Sequence, residues 1–550
     1  MAIDVESLNA RGKAALAALM PDPVALVSID GCGPGGNFGR EGYASGALRE
    51  SIDAAWVCSY AALTGSEIGK LPQIRVADVP AVFERAREVQ RYWAGTRFSQ
   101  RRDLMQKFID GVVHARDELL DLIQWENGKN RACAFEEVYD VVANAAYYGR
   151  HASKLLAPKR TGGAVPLLTY TRTYHHPKGV VAVISPWNYP LTLAISDALA
   201  AIMAGNSIVI KPDSLTPYTA LACKALLDRA GFPPDLLQVI IGSGPALGEP
   251  MIREADYVMF TGSSATGATI AREAGEALIG FSAELGGKNP LIVRADAPMP
   301  RAVRGAVKAC FASSGQLCIS IERMYVHTSI WDEFVPAFVQ EVEAMKVAAG
   351  FDWEADMGPL IGESQFNKVR EHVEDAVAKG ATVLAGGKAL PEVSQYAWAP
   401  TVLTGVTPEM DLFANETFGP VVSLYRVASD EAALRLANTT DYGLNAAIWS
   451  SDMRAAQKLA VQIHAGAVNI NDGYAAAWGS MKAPSGGMGI SGIGRRHGLD
   501  GIVKYTDAQA VATQRLMHIG APGRIGPLEL GEKKWAELLS VYMKLKKWIG

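Results

Sequence analysis

The chain has 550 residues, 49% of them apolar, with 54 glycines and a net charge of −4. That length exceeds one compact core and predicts a folded, loop-rich enzyme of roughly two to four domains. The small net charge excludes a whole-molecule argument for nucleic acid or acidic lipid. Six cysteines, at positions 32, 58, 133, 223, 310 and 318, include no C-x-x-C pair. This argues against a disulfide framework or a structural metal site and for a reducing, cytoplasmic setting.

Arg11 and Lys13 precede a short apolar run, Ala14 to Met20, but Asp4 and Glu6 lie upstream and no small-residue cleavage site follows. The run reads as an amphipathic helix rather than a signal peptide. No stretch reaches the roughly 20 apolar residues that span a bilayer. Val24 to Ile29 reads as a strand, followed by Gly31, Gly33, Gly35 and Gly36 and a helix from Ala47. The spacing is not G-x-G-x-x-G and Pro34 lacks an N–H, so a surface loop is preferred to a phosphate site.

From Val79 to Tyr148 apolar residues recur at helical spacing, with Leu104, Phe108 and Val112, then Leu119, Leu122 and Ile123. Trp125-Glu126-Asn127-Gly128 reads as a helix end. Leu155 to Thr173 is broken by Gly162, Gly163 and Pro166 and then alternates, which predicts an exposed hairpin facing a partner subunit. Beyond Pro177 the pattern is regular. Val180–Ile184, Ser207–Ile210, Leu237–Ile241, Tyr257–Phe260 and the run leading to Ala283 read as strands, with helices such as 192–203 and 218–230 between them. Such alternation predicts a doubly wound parallel sheet, whose ligands bind beyond the C-terminal strand ends.

Three of those ends carry candidate chemistry. Ser185-Pro186-Trp187-Asn188-Tyr189-Pro190 is a stiff turn in which Asn188 could donate to an oxygen gaining charge; the competing reading is a turn asparagine. Lys211-Pro212-Asp213-Ser214 places a cation and small polar groups where ribose or phosphate would bind, against a solvated lysine as the alternative. Phe260-Thr261-Gly262-Ser263-Ser264-Ala265-Thr266-Gly267 runs from strand into helix, where N–H groups and the helix dipole suit a pyrophosphate. Further on, Glu284 sits on the glycine turn E-L-G-G-K-N-P and Cys318 follows S-S-G-Q-L, a base and a thiol sufficient for covalent chemistry on a carbonyl.

The strings I-S-P-W-N-Y-P, F-T-G-S-S-A-T-G, E-L-G-G-K-N-P, G-Q-L-C and E-T-F-G-P (416–420) together resemble the aldehyde dehydrogenase superfamily, in its order and spacing, over residues 75 to 515. G-Q-L-C-I-S-I-E-R (315–323) and S-G-I-G-R-R-H-G (491–498) are most similar to its actinobacterial NADP-dependent succinate-semialdehyde dehydrogenase type. The resemblance implies a Rossmann-type cofactor domain (75–154 and 177–283), a second α/β catalytic domain (284–485) and a β oligomerisation arm (155–176 and 486–515). An N-terminal extension (1–74) and a C-terminal tail (516–550) flank them, and a homodimer or homotetramer is expected.

It further implies that Cys318 is the nucleophile, that Asn188 and the Cys318 N–H form an oxyanion hole, and that Glu284 is the base that hydrolyses a thioester. For the cofactor it implies Glu416 on the nicotinamide ribose, Phe418 against the ring and Gly262 and Ser263 on the pyrophosphate. Ser185, Trp187, Asn188, Lys211, Ser214 and Leu285 complete that groove. Ser214 stands where NAD-preferring members often carry glutamate, so a 2′-phosphate meets no repulsion and NADP is expected, with NAD left open beside Asp213.

The substrate side departs from the semialdehyde type. Ala312 stands where an arginine is expected, and 191–203 contains no arginine or lysine. A carboxylate tail buried without a partner is costly. Tyr189, Tyr474 and Trp478 point instead to a mouth for apolar, aromatic or long-chain aldehydes. Two other readings are a cofactor-independent thiol hydrolase using Cys318 and Glu284, and a catalytically dead binding member. Finally, Trp535, Leu538, Leu539, Tyr542, Leu545 and Ile549 share a helical face flanked by lysines. The stripe reads first as packing against the enzyme or a neighbouring subunit, and second as peripheral membrane contact.

Overall fold

The computed structural model describes residues 4–28, 56–164, 169–515, 524–525, 528–529 and 531–549. The five β-rich runs after Pro177 become neighbours in one sheet. Across it the strands run Gly492–Ile493, Gly280–Glu284, Tyr257–Thr261, Val180–Ile184, Ser207–Lys211 and Leu237–Val239, all parallel except the short Gly492–Ile493. Their continuous apolar character has a direct cause: both faces are covered. Val181, Val183 and Ile208 pack with Phe108, Leu199 and Leu221 on one side, and Val180, Ala182 and Val209 with Phe83, Leu247 and Ile270 on the other.

A second sheet holds Thr382–Ala385, Thr401–Thr404, Val421–Val427, Ile321–His327, Asn289–Val293, Asn445–Trp449 and Ala467–Ile470 in that spatial order, parallel but for the first strand. One sheet ends at Glu284 and the other begins at Asn289. The turn E-L-G-G-K is therefore the crossing between two layers as well as a candidate site. A third, antiparallel sheet pairs Thr506–Gln514 with Thr169–Pro177 and the latter with Lys159–Thr161. Asp507 to Thr513 are exposed along it, and the hairpin expected in 155–173 forms as the pairing of Lys159–Thr161 with Thr169–Pro177.

The helical region forms as Val79–Ala94, Phe98–His114, Arg116–Asn127 and Arg131–Leu155, with Gly128 ending the third. The N-terminal helix is longer than its apolar run, spanning Val5–Leu19. Over 24–28, the described part of the strand expected at 24–29, no strand forms: Val24–Leu26 is a 3-10 turn, and Val27 makes an isolated bridge to Val239. Pro23, which caps that turn, has no N–H to give to a ladder. The glycine loop at 31–36 and the helix from Ala47 lie outside the described residues.

No described helix is long and apolar enough to cross a membrane. The tail forms its helix, Glu532–Ile549. Contrary to the packing reading on the enzyme itself, this chain leaves Leu538 52% and Leu545 53% exposed.

Candidate active site

The loop before Cys318 has unusual backbone. Ser313 and Ser314 adopt left-handed φ values of 51° and 57°, a conformation that costs energy for residues with a Cβ and persists only when the surroundings impose it. Here the Ser313 N–H donates to Cys133 Sγ (3.2 Å) and Ser314 Oγ to the Gly358 carbonyl (2.8 Å). Asn289 Nδ2 then donates to the carbonyls of Cys318 and Ser320, each at 2.7 Å. The glycines of E-L-G-G-K have a steric purpose. A Cβ on Gly287 would lie 2.5 Å from the Cys318 carbonyl oxygen, and one on Gly286 would lie 2.7 Å from Glu416 Oε2. Only glycine lets the two loops approach this closely.

Two cavities meet at Cys318 and Asn188, which line both. The first, of about 190 Å³, is lined among others by Trp187, Gly262, Ser263, Glu284, Leu285, Glu416 and Phe418. Nine of the residues singled out from sequence thus share one chamber although they span more than two hundred positions. The second, of about 260 Å³, contains Tyr189, Tyr474 and Trp478. Ser185, Lys211 and Ser214 line neither. They continue the sheet edge, where the Ser185 N–H donates to the Lys211 carbonyl (3.1 Å), Lys211 Nζ to the Pro212 carbonyl (2.9 Å) and Ser214 Oγ to the Gly242 carbonyl (3.4 Å).

These residues fit a dinucleotide. Ser263 caps the 13-residue helix Ser264–Glu276, accepting from the Thr266 N–H, so that helix's positive end opens at the first cavity. The Lys211 ammonium, its pKa lowered by burial, supplies a cation two strands away. Ser185 Oγ is buried without a hydrogen-bond partner among the described residues. Trp187 and Phe418 meet edge to face at 5.5 Å. Glu416 differs from expectation in one respect: its Oε1 already accepts the Gly287 N–H at 2.7 Å, which leaves Oε2 for a ligand hydroxyl.

The Asn188 carboxamide donates one N–H to the Gln316 carbonyl at 3.0 Å, which fixes its plane and leaves its second N–H free in the cavity junction. The Asn188 backbone carbonyl accepts from Lys129 Nζ at 2.7 Å. Lys129 also pairs with Glu137 (2.7 Å), whose other oxygen accepts the N–H groups of Leu191 and Thr192. Sequence reasoning passed over Lys129 and Glu137 because they lie in a helical stretch without a chemical pattern.

Gln365 and Lys368 were also missed. They line the first cavity from the helix Glu363–Ala378, and Gln365 Nε2 holds the carbonyls of Thr417 and Phe418 at 3.0 and 2.7 Å. A polar pair three residues apart on a helix carries no signal of its own.

Burial pushes the Cys318 thiol up to about 12; the Glu416 and Glu284 charges add to this and Arg496 opposes it. The resting thiol is therefore protonated and needs a base to become a nucleophile. Glu284 is pushed up to about 7 by burial, against the pull of Arg496 and Lys504, which suits a general base at neutral pH.

The aldehyde dehydrogenase family profile matches residues 51–511, and the chain belongs to that family. It is accordingly an NAD(P)-dependent aldehyde oxidoreductase. A Mycolicibacterium smegmatis protein, provisionally named an NADP(+) succinate-semialdehyde dehydrogenase, is 52% identical over 459 residues, 84% of this chain and 89% of its own. A Mycobacterium tuberculosis protein of the same provisional name is 48% identical over 482 residues, 88% and 93% of the two chains. Among solved structures, a Burkholderia pseudomallei succinate-semialdehyde dehydrogenase shares 32% identity with a TM-score of 0.80, over 84% of this chain and 95% of that one.

With Glu284 as an essential carboxylate, turnover limited by hydrolysis should rise with pH through about 7 and level off above it. Stopped-flow kinetics should show this limb in the wild type and its loss in Glu284→Gln, which also slows both the first turnover and steady-state turnover, the latter by about a hundredfold or more.

Proposed function

We propose that this enzyme oxidises an uncharged aldehyde to its acid, with Cys318 as nucleophile, Asn188 as oxyanion donor, Glu284 as base and NADP as the preferred acceptor. The observation that carries the reading is the meeting of the two cavities at Cys318 and Asn188. One chamber presents the cofactor-type residues and the other an aromatic wall. A thiol hydrolase would have no use for the first.

In this mechanism Glu284 takes the Cys318 proton, directly or through water. The thiolate attacks the aldehyde carbon, forming a C–S bond while the carbonyl electron pair moves to oxygen. The free Asn188 N–H and the Cys318 N–H hold that oxygen, and Gln316 and Lys129 keep Asn188 aimed before the charge appears. When bound, the cofactor supplies the two-electron acceptor for the hydride that the captured carbon gives up. Cys318 is then a thioester. Glu284 gives up the thiol's proton to solvent and, again a carboxylate, removes a proton from water; the oxygen attacks the acyl carbon, and the C–S bond breaks to return the thiolate and release the acid.

The substrate is assigned from the wall beyond Cys318. Phe135, Tyr139, Tyr189, Leu193, Tyr474 and Trp478 dominate it, and among the described residues no arginine, lysine or histidine lines it. Ala312, where a carboxylate-binding arginine is expected, is buried in the same cluster. A second reading, oxidation of succinate semialdehyde, is favoured by the names of relatives near 50% identity. That reading requires a cation that the cavity wall lacks.

The preference for NADP rests on Ser214 and on those names. Assembly into a homodimer or homotetramer through the arm is supported by the exposed strand Thr506–Gln514, and a reducing, cytoplasmic setting by five free cysteines among the described residues. For the tail helix we propose an anionic lipid surface as partner. Its lysines, among them Lys533, Lys534, Lys544, Lys546 and Lys547, match a negative surface, and its outward leucines suit the acyl boundary.

Mixing enzyme, benzaldehyde and NADP should raise the absorbance of the reduced nicotinamide, and Cys318→Ala should abolish the rise; hydrolysis of an ester without cofactor would instead favour the thiol hydrolase. Ser214→Glu should reverse the cofactor preference, raising the NAD:NADP ratio of kcat/KM by about tenfold or more through repulsion of the 2′-phosphate. A Ser214→Glu enzyme that still prefers NADP defeats the assignment. On vesicles rich in phosphatidylserine, the full chain should co-sediment and a chain lacking 526–550 should remain in the supernatant.

A further inference from the structure

The chamber beyond Cys318 is not wholly neutral. Glu136, on the helix Arg131–Leu155, contributes a carboxylate to its wall. Tyr474 Oη donates to this group and lies 3.1 Å from both carboxylate oxygens, which holds it against the chamber. Lys308 Nζ pairs with Oε1 at 3.2 Å, but its side chain is 63% exposed against 28% for Glu136, and Lys308 does not line the cavity. The anion thus faces the chamber while its counter-ion stands on the solvent side. Glu136 takes no part in the chemistry described above, and its neighbour Glu137 is turned the other way, toward Lys129 and the N–H groups of Leu191 and Thr192.

We infer that Glu136 sets the charge selectivity of the substrate chamber, turning away aldehydes that carry a carboxylate and reserving the aromatic wall for uncharged aryl or alkyl tails. The inference rests on the assignment of this cavity to the aldehyde. Three effects point the same way. A carboxylate entering the chamber loses its hydration against Phe135, Tyr189 and Trp478, finds no cation on the wall, and meets a like charge in a site of reduced dielectric. The Tyr474 hydroxyl, a donor that could have received it, is already committed to Glu136. Lys308 offsets part of the repulsion from outside, so the two charges together tune the selectivity rather than fix it absolutely.

Glu136→Gln retains an acceptor for Tyr474 and removes only the charge, so a purely structural role predicts little change in selectivity. Charge selection predicts that kcat/KM for succinate semialdehyde rises about tenfold relative to benzaldehyde, mainly through KM. Lys308→Met, at an exposed position, should move the ratio the opposite way. Alkylation of Cys318, followed by peptide mass spectrometry, reads the same property without turnover. The rate with neutral iodoacetamide divided by that with anionic iodoacetate should fall about tenfold in Glu136→Gln and rise in Lys308→Met. Because both reagents attack the same thiol, any change in its reactivity cancels in the ratio.

An alkylation ratio unchanged in both variants overturns the inference, whatever the enzyme oxidises. Absence of aldehyde oxidation with a shifted alkylation ratio instead overturns the proposed reaction and leaves the charge selection standing. A wild-type enzyme that prefers succinate semialdehyde, with the preference unaltered in Glu136→Gln, also overturns the inference.

Discussion

The buried ion pair between Lys288 and Glu322 joins the parts of this enzyme that the chemistry requires. Lys288 closes the turn that carries Glu284, and Glu322 follows Cys318 by four residues. Their side chains are 1% and 3% exposed. Glu322 also accepts the N–H groups of Thr417 and Phe418, between 2.9 and 3.0 Å, in the loop that presents Glu416. One carboxylate therefore ties the base turn, the thiol strand and the cofactor loop together. Burial of two charges is expensive, and removing one partner of such a pair costs on the order of 3–5 kcal/mol. Here the remaining valences of Glu322 are met by backbone N–H groups, the condition under which a buried pair is tolerated. Phe418, held with a φ of 56°, is where the strain of that loop sits.

The same economy appears around Cys318. A left-handed turn precedes it, Asn289 fixes the Cys318 and Ser320 carbonyls, and Asn289 Oδ1 accepts the Asn445 N–H at 3.0 Å from the neighbouring strand. Cys318, the proposed nucleophile, is thus positioned by backbone and lines both chambers where they meet. Such an arrangement would preorganise the donors of the proposed oxyanion hole before any charge develops, and that is where hydrogen bonds are worth most to a rate.

Sheet order explains how segments distant in the chain reach this point. Val180–Ile184, Tyr257–Thr261 and Gly280–Glu284 are adjacent and parallel, so the Trp187-Asn188, Gly262-Ser263 and Glu284-Leu285 ends share one edge. From Glu284 the chain crosses directly to Asn289 and the second sheet, where Ile321–His327 lies beside Asn289–Val293. The cleft between the layers needs no long loop to create it. The aromatic chamber opens on the other side of Asn188, walled by Arg131–Leu155 and the segment around Tyr474.

Much of this was legible in the residues alone. Apolar runs of strand length between helical patterns define the parallel sheet, because strands buried on both faces have no choice but continuous apolar sequence. Glycines at 262, 286 and 287 and the pairing of Glu284 with Cys318 mark the chemistry, because close approach and covalent catalysis each restrict residue type severely. Ala312 in place of an arginine, with Tyr189, Tyr474 and Trp478, pointed to an apolar or aromatic mouth, the reading on which the proposed substrate rests. The 24–29 run was misread because a turn capped by Pro23 can carry the same apolar residues as a strand. Glu137, Gln365 and Glu136 were silent because a charged or polar residue on a helix has the same local pattern whether it faces water or a chamber, and Lys129 because a lysine in the short link between two helices reads as a solvated one. Local sequence determines which residues can do the chemistry. Which of two adjacent glutamates, 136 or 137, looks into the substrate chamber and which anchors the oxyanion donor was decided only when helix and turn packed together, since burial and partners belong to the tertiary structure.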